Sequence, residues 1–107
     1  MRRLSEAQAR EVLGLPPGAD LRSAAWVGAL QEWHGPTDAM LVAVELTFTG
    51  IGVAAHADGR LVGTLAEDAL ASIMPIFAAQ GGRARIPAVA VVQERTVSVG
   101  APGGSWT

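Results

Sequence analysis

The segment 40–49, MLVAVELTFT, constrains this chain most, because Val42, Val44, Leu46 and Phe48 alternate with Ala43, Glu45, Thr47 and Thr49. Side chains of an extended strand point alternately to opposite faces, so this period of two prescribes a strand with one buried face. A helix would scatter the same four apolar residues around its circumference. Gly50 permits a reversal, 51–56 reads as a second strand, and Asp58-Gly59 is a two-residue hairpin signal leading into 61–65. Three strands joined in this way form an antiparallel meander.

The period then changes. Leu70, Ile73, Met74 and Phe77 recur at the i, i+3, i+4 and i+7 spacing of one helix face, and Thr64 with Glu67 has the spacing of a capping box. Glu67 and Asp68 then fall in the first helical turn, where carboxylates stabilise the positive end of the dipole, which reads as capping and not as an acid/base pair. Pro75 inside the stripe predicts a kink, or a restart with Pro75 in the first turn. Gly81-Gly82 ends the helix, and 85–92 with 96–99 reads as a final hairpin around Gln93-Glu94-Arg95. Pro87 has no N–H to give a ladder and suggests an edge position.

Ahead of the meander the signals are helical. Ser5 and Gln8 form a capping box for a helix over 5–13, Gly14 suits its left-handed stop, and Pro16-Pro17-Gly18 forbids continuation. Asp20 can cap a second helix along which Trp26, Leu30 and Trp33 share one face. A strand over 25–31 is the competing reading, since Val27 and Gly28 are poor helix residues. His34-Gly35-Pro36-Thr37-Asp38 is a turn.

These pieces predict one α+β domain over 1–102, with a helical part at 1–38, a sheet plus helix at 40–102 and a flexible tail at 103–107. Its sheet is five-stranded, mostly antiparallel and curled, with two N-terminal helices and one helix between the third and fourth strands. Gly50, Gly52, Gly59 and Gly63 sit where a small barrel needs its bends.

At 107 residues there is no room for a second core. No apolar run reaches the roughly 18 residues of a membrane span, and the basic start lacks the apolar stretch of a signal peptide, so the expected place is the cytoplasm and no membrane contact is expected. Cysteine is absent, which excludes disulfides, thiolate catalysis and cysteine-based zinc sites. His34 and His56 are too few for a histidine metal site, no phosphate loop is present, and the serines lack a nucleophile elbow. His56 reads as a solvated residue at a strand end. No catalytic residue, metal, cofactor or small-molecule ligand is therefore expected, and the chain is not read as an enzyme.

Net charge is −2, which argues against a general polyanion binder. All eight Lys-plus-Arg positions are arginine, and three of them fall near one end of the sheet: Arg60 in the hairpin, with Arg83 and Arg85 two apart and so on one face if extended. Guanidiniums so placed can grip phosphates. The competing reading is that they solvate the strand face and pair with Asp58 or Glu94.

The stretch from Val53 to Pro102 carries a further pattern: Asp58-Gly59-Arg60, then Val62-Gly63-Thr64-Leu65, then a helix and a hairpin running from Val97 through Val99 to Pro102. Over about 51–102 this resembles a divergent HIRAN-like domain, in which a DGR-like turn and a VGYL-like strand precede a helix and a V-x-V hairpin. The segment ahead, AMLVAVELTFTG, does not carry the family's Asp-Pro-x-Asn-Pro-type stretch, and Thr64 stands where the family tends to have an aromatic residue. The resemblance implies an OB-like barrel and binding of single-stranded DNA. The sequence thus points to a small binding module for single-stranded nucleic acid through Arg60, Arg83 and Arg85. The alternative is a protein-interaction or homo-oligomeric assembly module, favoured by the 50% apolar content of a short chain.

Overall fold

The computed structural model describes residues 2–38, 40–49, 52–79, 85–93 and 96–102. A short strand, β1 (Arg3–Leu4), leads into helix α1 (Glu6–Leu13). The capping box forms as its sequence predicts: the Ser5 N–H donates to Gln8 Oε1 at 2.9 Å and the Gln8 N–H donates to Ser5 Oγ at 3.1 Å. Gly14 stops the helix in the left-handed region, with φ 71°. Arg10 ties α1 to the connector after it by donating from Nε to the Ala19 carbonyl at 2.7 Å.

The predicted second helix is replaced by a 3-10 turn at Leu21–Ser23 and a strand, β2 (Ala25–Gln31). Val27 and Gly28 disfavour a helix, and the segment instead gains a ladder to the far end of the chain, with Trp26 opposite Gly100 and Ala29 opposite Ser98. Trp33 belongs to the turn that follows, where its indole N–H donates to the Pro36 carbonyl at 2.6 Å and its ring covers Gly35. The apparent helical spacing of Trp26, Leu30 and Trp33 is therefore coincidental.

The meander is present as β3 (Met40–Phe48), β4 (Val53–Ala57) and β5 (Arg60–Leu65). Asp58 and Gly59 both have positive φ, 52° and 76°, the conformation of a tight hairpin turn. The capping box at Thr64 does not form. Strand β5 runs on to Leu65, which leaves Thr64 in the ladder opposite Ala54 and Gln31, and Ala66 takes the cap position without a side-chain bond. A 3-10 turn at Glu67–Ala69 then enters α2 (Leu70–Ala79), which passes through Pro75 without restarting. Ile73, Ile76 and Phe77 form its buried face, whereas Met74, predicted for that face, is 42% exposed. Strands β6 (Arg85–Gln93) and β7 (Thr96–Ala101) make the last hairpin. Gly81-Gly82, Glu94-Arg95 and the tail at 103–107 lie outside the described residues.

The described residues hold seven strands in place of the predicted five, all paired antiparallel in the order β1-β3-β4-β5-β2-β7-β6. A further ladder from Met40↔Val92 to Thr47↔Arg85 joins β3 back to β6 and closes six of the strands into a barrel. The short β1 lies beside the first half of β3, opposite Leu41 and Val42, where β4 does not reach. Strand β6 is thus flanked on both sides over most of its length, while Pro87 itself keeps the one-sided position its sequence suggests. Its ladder to β7 begins only at Val89, so β6 has no β7 partner at Pro87, and a residue without an N–H is tolerated there.

Alternation along the strands sends Val42, Val44 and Leu46, Ala55 and Ala57, Ile86, Ala88, Ala90 and Val92, and Val97 and Val99 into one interior cluster. Helix α2 closes the mouth where β3 ends, adding Ile73, Ile76 and Phe77, with Phe77 and Phe48 ring centroids 6.1 Å apart. Gly28 makes this closure possible: a Cβ there would lie 2.7 Å from Ala69 Cβ. A second, smaller cluster forms outside the barrel, where Ala9 and Leu13 of α1 cover Val89 of β6. No helix among the described residues is long and apolar enough to cross a membrane.

Candidate functional site

The interior offers no chemistry, since no polar or charged residue is buried among the described residues. The polar side chains of the described residues therefore lie at the surface. The residues that face outward from β3 are Leu41, Ala43, Glu45 and Thr47, the partners in alternation of the buried Val42, Val44 and Leu46. Helix α1 covers the first two. Glu45 and Thr47 are left uncovered, and the register sets Glu45 between His56 of β4 and Pro87 of β6, with Thr47 between Ala54 and Arg85.

Glu45, Thr47, His56, Asp58, Gly59 and Arg85 line a depression of about 590 Å³. Across it Arg85 Nη1 lies 3.6 Å from Glu45 Oε1, with the two side chains 73% and 51% exposed. An ion pair this open to water contributes little to stability, so both groups remain able to exchange partners. His56 is half-buried on the same wall, and its Nδ1 is enclosed with no hydrogen-bond partner among the described residues. Thr47 adds a hydroxyl. The depression thus combines a guanidinium, an imidazole, a hydroxyl and two carboxylates, a set able to hydrogen-bond a polar ligand and, at Arg85, to meet an anionic group.

The three arginines singled out by sequence are placed differently from one another. Arg85 stands at the start of β6 and lines the depression. Arg60 is exposed at the start of β5 but opposite Ala57, whose side chain belongs to the interior, so Arg60 leaves the sheet on the other face at the barrel's end. Arg83 lies outside the described residues. Arg85 pairs with Glu45, and Glu94, named in the competing sequence reading, lies outside the described residues. Glu45 and Thr47 join the site although sequence reasoning passed over them, and His56, read from the sequence as a solvated strand-end residue, is half-buried there with its Nδ1 enclosed. The alternation did put Glu45 and Thr47 on one face, but nothing local told which strand would lie beside it.

A second concavity, about 620 Å³, lies between α1 and the outer wall of β2, β6 and β7, with Leu21, Trp26, Leu41 and Val91 among its lining. Its cation, Arg10, is occupied within the fold, bonding the Ala19 carbonyl and lying 3.4 Å from Glu6. The depression at Arg85 is the better candidate for a ligand that must be gripped by charge. Comparison of the chain with protein-family models, with curated proteins and with solved structures returns no match.

Proposed function

We propose that this chain is a non-enzymatic binding module that holds a short run of single-stranded nucleic acid against the outer wall of β3, β4 and β6. The observation that carries the reading is the polar depression at Arg85, Glu45 and His56, open on a wall whose interior side is wholly apolar. Arg85 takes a phosphate and Thr47 and His56 supply hydrogen bonds, and a strand that runs on past the barrel's end also meets Arg60; Arg83, two residues before Arg85 in sequence, is the further candidate. Two further points support it. Counted from β3, the elements run three strands, a helix and two strands, the order of an OB-like barrel, with β2 set between β5 and β7 as an addition. The resemblance to HIRAN-like domains over 51–102 implies the same barrel and the same class of ligand.

The test is titration of labelled single-stranded and duplex oligonucleotides at low and moderate salt. With two or three phosphates neutralised, single-strand affinity is expected to fall about tenfold between 50 and 200 mM salt. Arg85→Ala is expected to lower it further while leaving the melting temperature unchanged. Absence of binding at low salt, or binding indifferent to Arg85→Ala, rejects the site.

A second reading, assembly through protein contacts, has its own observation. Ala71, Met74, Pro75 and Ala78 form an exposed stripe at i, i+3, i+4 and i+7 on α2, in a stretch, 69–82, that holds no charged residue. Light scattering on the same samples separates the two: a mass that grows with concentration, without oligonucleotide binding, favours assembly.

A further inference from the structure

From the placement of Glu45 we infer that its carboxylate is an internal competitor for the anion site, occupying the guanidinium that a phosphate must take. The inference rests on the reading of the depression as a phosphate-binding wall and names what regulates it. Glu45 stands at the centre of the site: its oxygen is 3.6 Å from Arg85 Nη1 on one side, and His56 is its register partner on the other. Side chains directly opposite in an antiparallel pair lie within reach of one another. The carboxylate that pairs with Arg85 is thus also the one facing the imidazole.

A carboxylate and a phosphate present similar oxygens to a guanidinium fork, so each can replace the other on Arg85. Glu45 is 51% exposed and belongs to no buried network, so the fold does not depend on it. What it does is charge-neutralise Arg85 in the free protein. A single phosphate gains little by displacing it, because one ion pair is exchanged for another and the displaced carboxylate then repels the incoming anion. A strand with several phosphates bears that cost once and keeps its other contacts. Glu45 therefore selects a polyanion over a lone phosphate and weakens adventitious binding of small anions.

The experiment compares fluorescein-labelled (dT)10 binding to the wild-type chain, Glu45→Gln, Arg85→Ala and the double variant, with Glu11→Gln as a control that changes net charge equally from exposed helix α1. Glu45→Gln is expected to tighten binding about three- to tenfold at low salt, a gain that shrinks as salt screens the site. Inorganic phosphate is expected to displace the oligonucleotide more readily from Glu45→Gln than from wild type. Glu11→Gln should change affinity far less, and in the double variant the gain should vanish. If wild type binds and depends on Arg85 but Glu45→Gln is unchanged, or matches Glu11→Gln, this inference falls and the functional reading stands. If neither wild type nor Glu45→Gln binds, both fall together. Circular dichroism and a thermal melt of each variant confirm that the fold is intact.

Discussion

Single residues decide how tightly this barrel can close. Gly28 lies where β2 meets the turn before α2, with φ 155° and no room for a Cβ beside Ala69. Gly28→Ala is expected to cost about 1–3 kcal/mol in denaturant unfolding, since the side chain must push the closing turn away from the barrel mouth. Gly52→Ala, where an added Cβ meets nothing within 4 Å, should stay within about 0.5 kcal/mol of wild type. Equal losses at the two positions would show that the close approach at Ala69 does not matter. Alanine has a related role. Ala55, Ala57, Ala88 and Ala90 all point into the interior cluster, where a narrow barrel has no space for larger side chains on every strand. At this scale the sequence was partly legible: Val42, Val44 and Leu46 announced their burial by alternation, whereas Gly28 read only as a poor helix residue, because the atom it makes way for is 41 positions further along.

At the level of elements, what could be read was whatever is specified locally. Helix α1 is an example, since its cap, its stop and its length are all set within ten residues. Removing the cap hydroxyl with Ser5→Ala is expected to cost about 1 kcal/mol by chemical denaturation. An unchanged midpoint would mean that packing on Val89 holds the helix without its cap. The hairpin at Asp58-Gly59 was equally local. Misreadings arose where two elements competed for the same residues or where a distant partner decided the outcome. Strand β2 looked helical because tryptophan spacing fits a helix face, and only the ladder to β7 makes it a strand. Thr64 looked like a helix cap because its spacing to Glu67 is right, yet the pairing with Ala54 keeps it in β5. One member of the apolar stripe of α2 was misread, Met74 in place of Ile76, because an almost wholly apolar helix carries little information about which face turns inward.

The whole molecule is a ring with unequal joints. Strand β3 meets β6 over eight register pairs, while β2 meets β5 over only two, Leu30↔Leu65 and Gln31↔Thr64. Around that short joint the chain is held by single bonds, from the His34 N–H to the Val62 carbonyl at 2.8 Å and from the Ala66 N–H to the Ala29 carbonyl at 3.3 Å. Hydrogen exchange is expected to show it. Amides in the β3–β6 ladder should exchange only with global unfolding, and those of His34 and Ala66 at least about a hundredfold faster. Uniform protection around the ring would mean that α2 locks the joint as firmly as a full ladder does. The sequence pointed to a curled sheet or small barrel and to Arg85, but not to the β3–β6 ladder that closes the ring or to the neighbours Arg85 has in it, for one reason. Glu45, His56 and Arg85 become neighbours only through the β3–β4 and β3–β6 registers, and no local signal states which strands will be adjacent. The closed ring also limits how anything can attach to it. Within the described residues the six barrel strands offer few unpaired backbone groups, and the stretch of β6 that β7 leaves uncovered contains Pro87. Another polypeptide therefore finds little of the hydrogen-bonding template on which fibrils grow, and a ligand must recognise this molecule by its side chains.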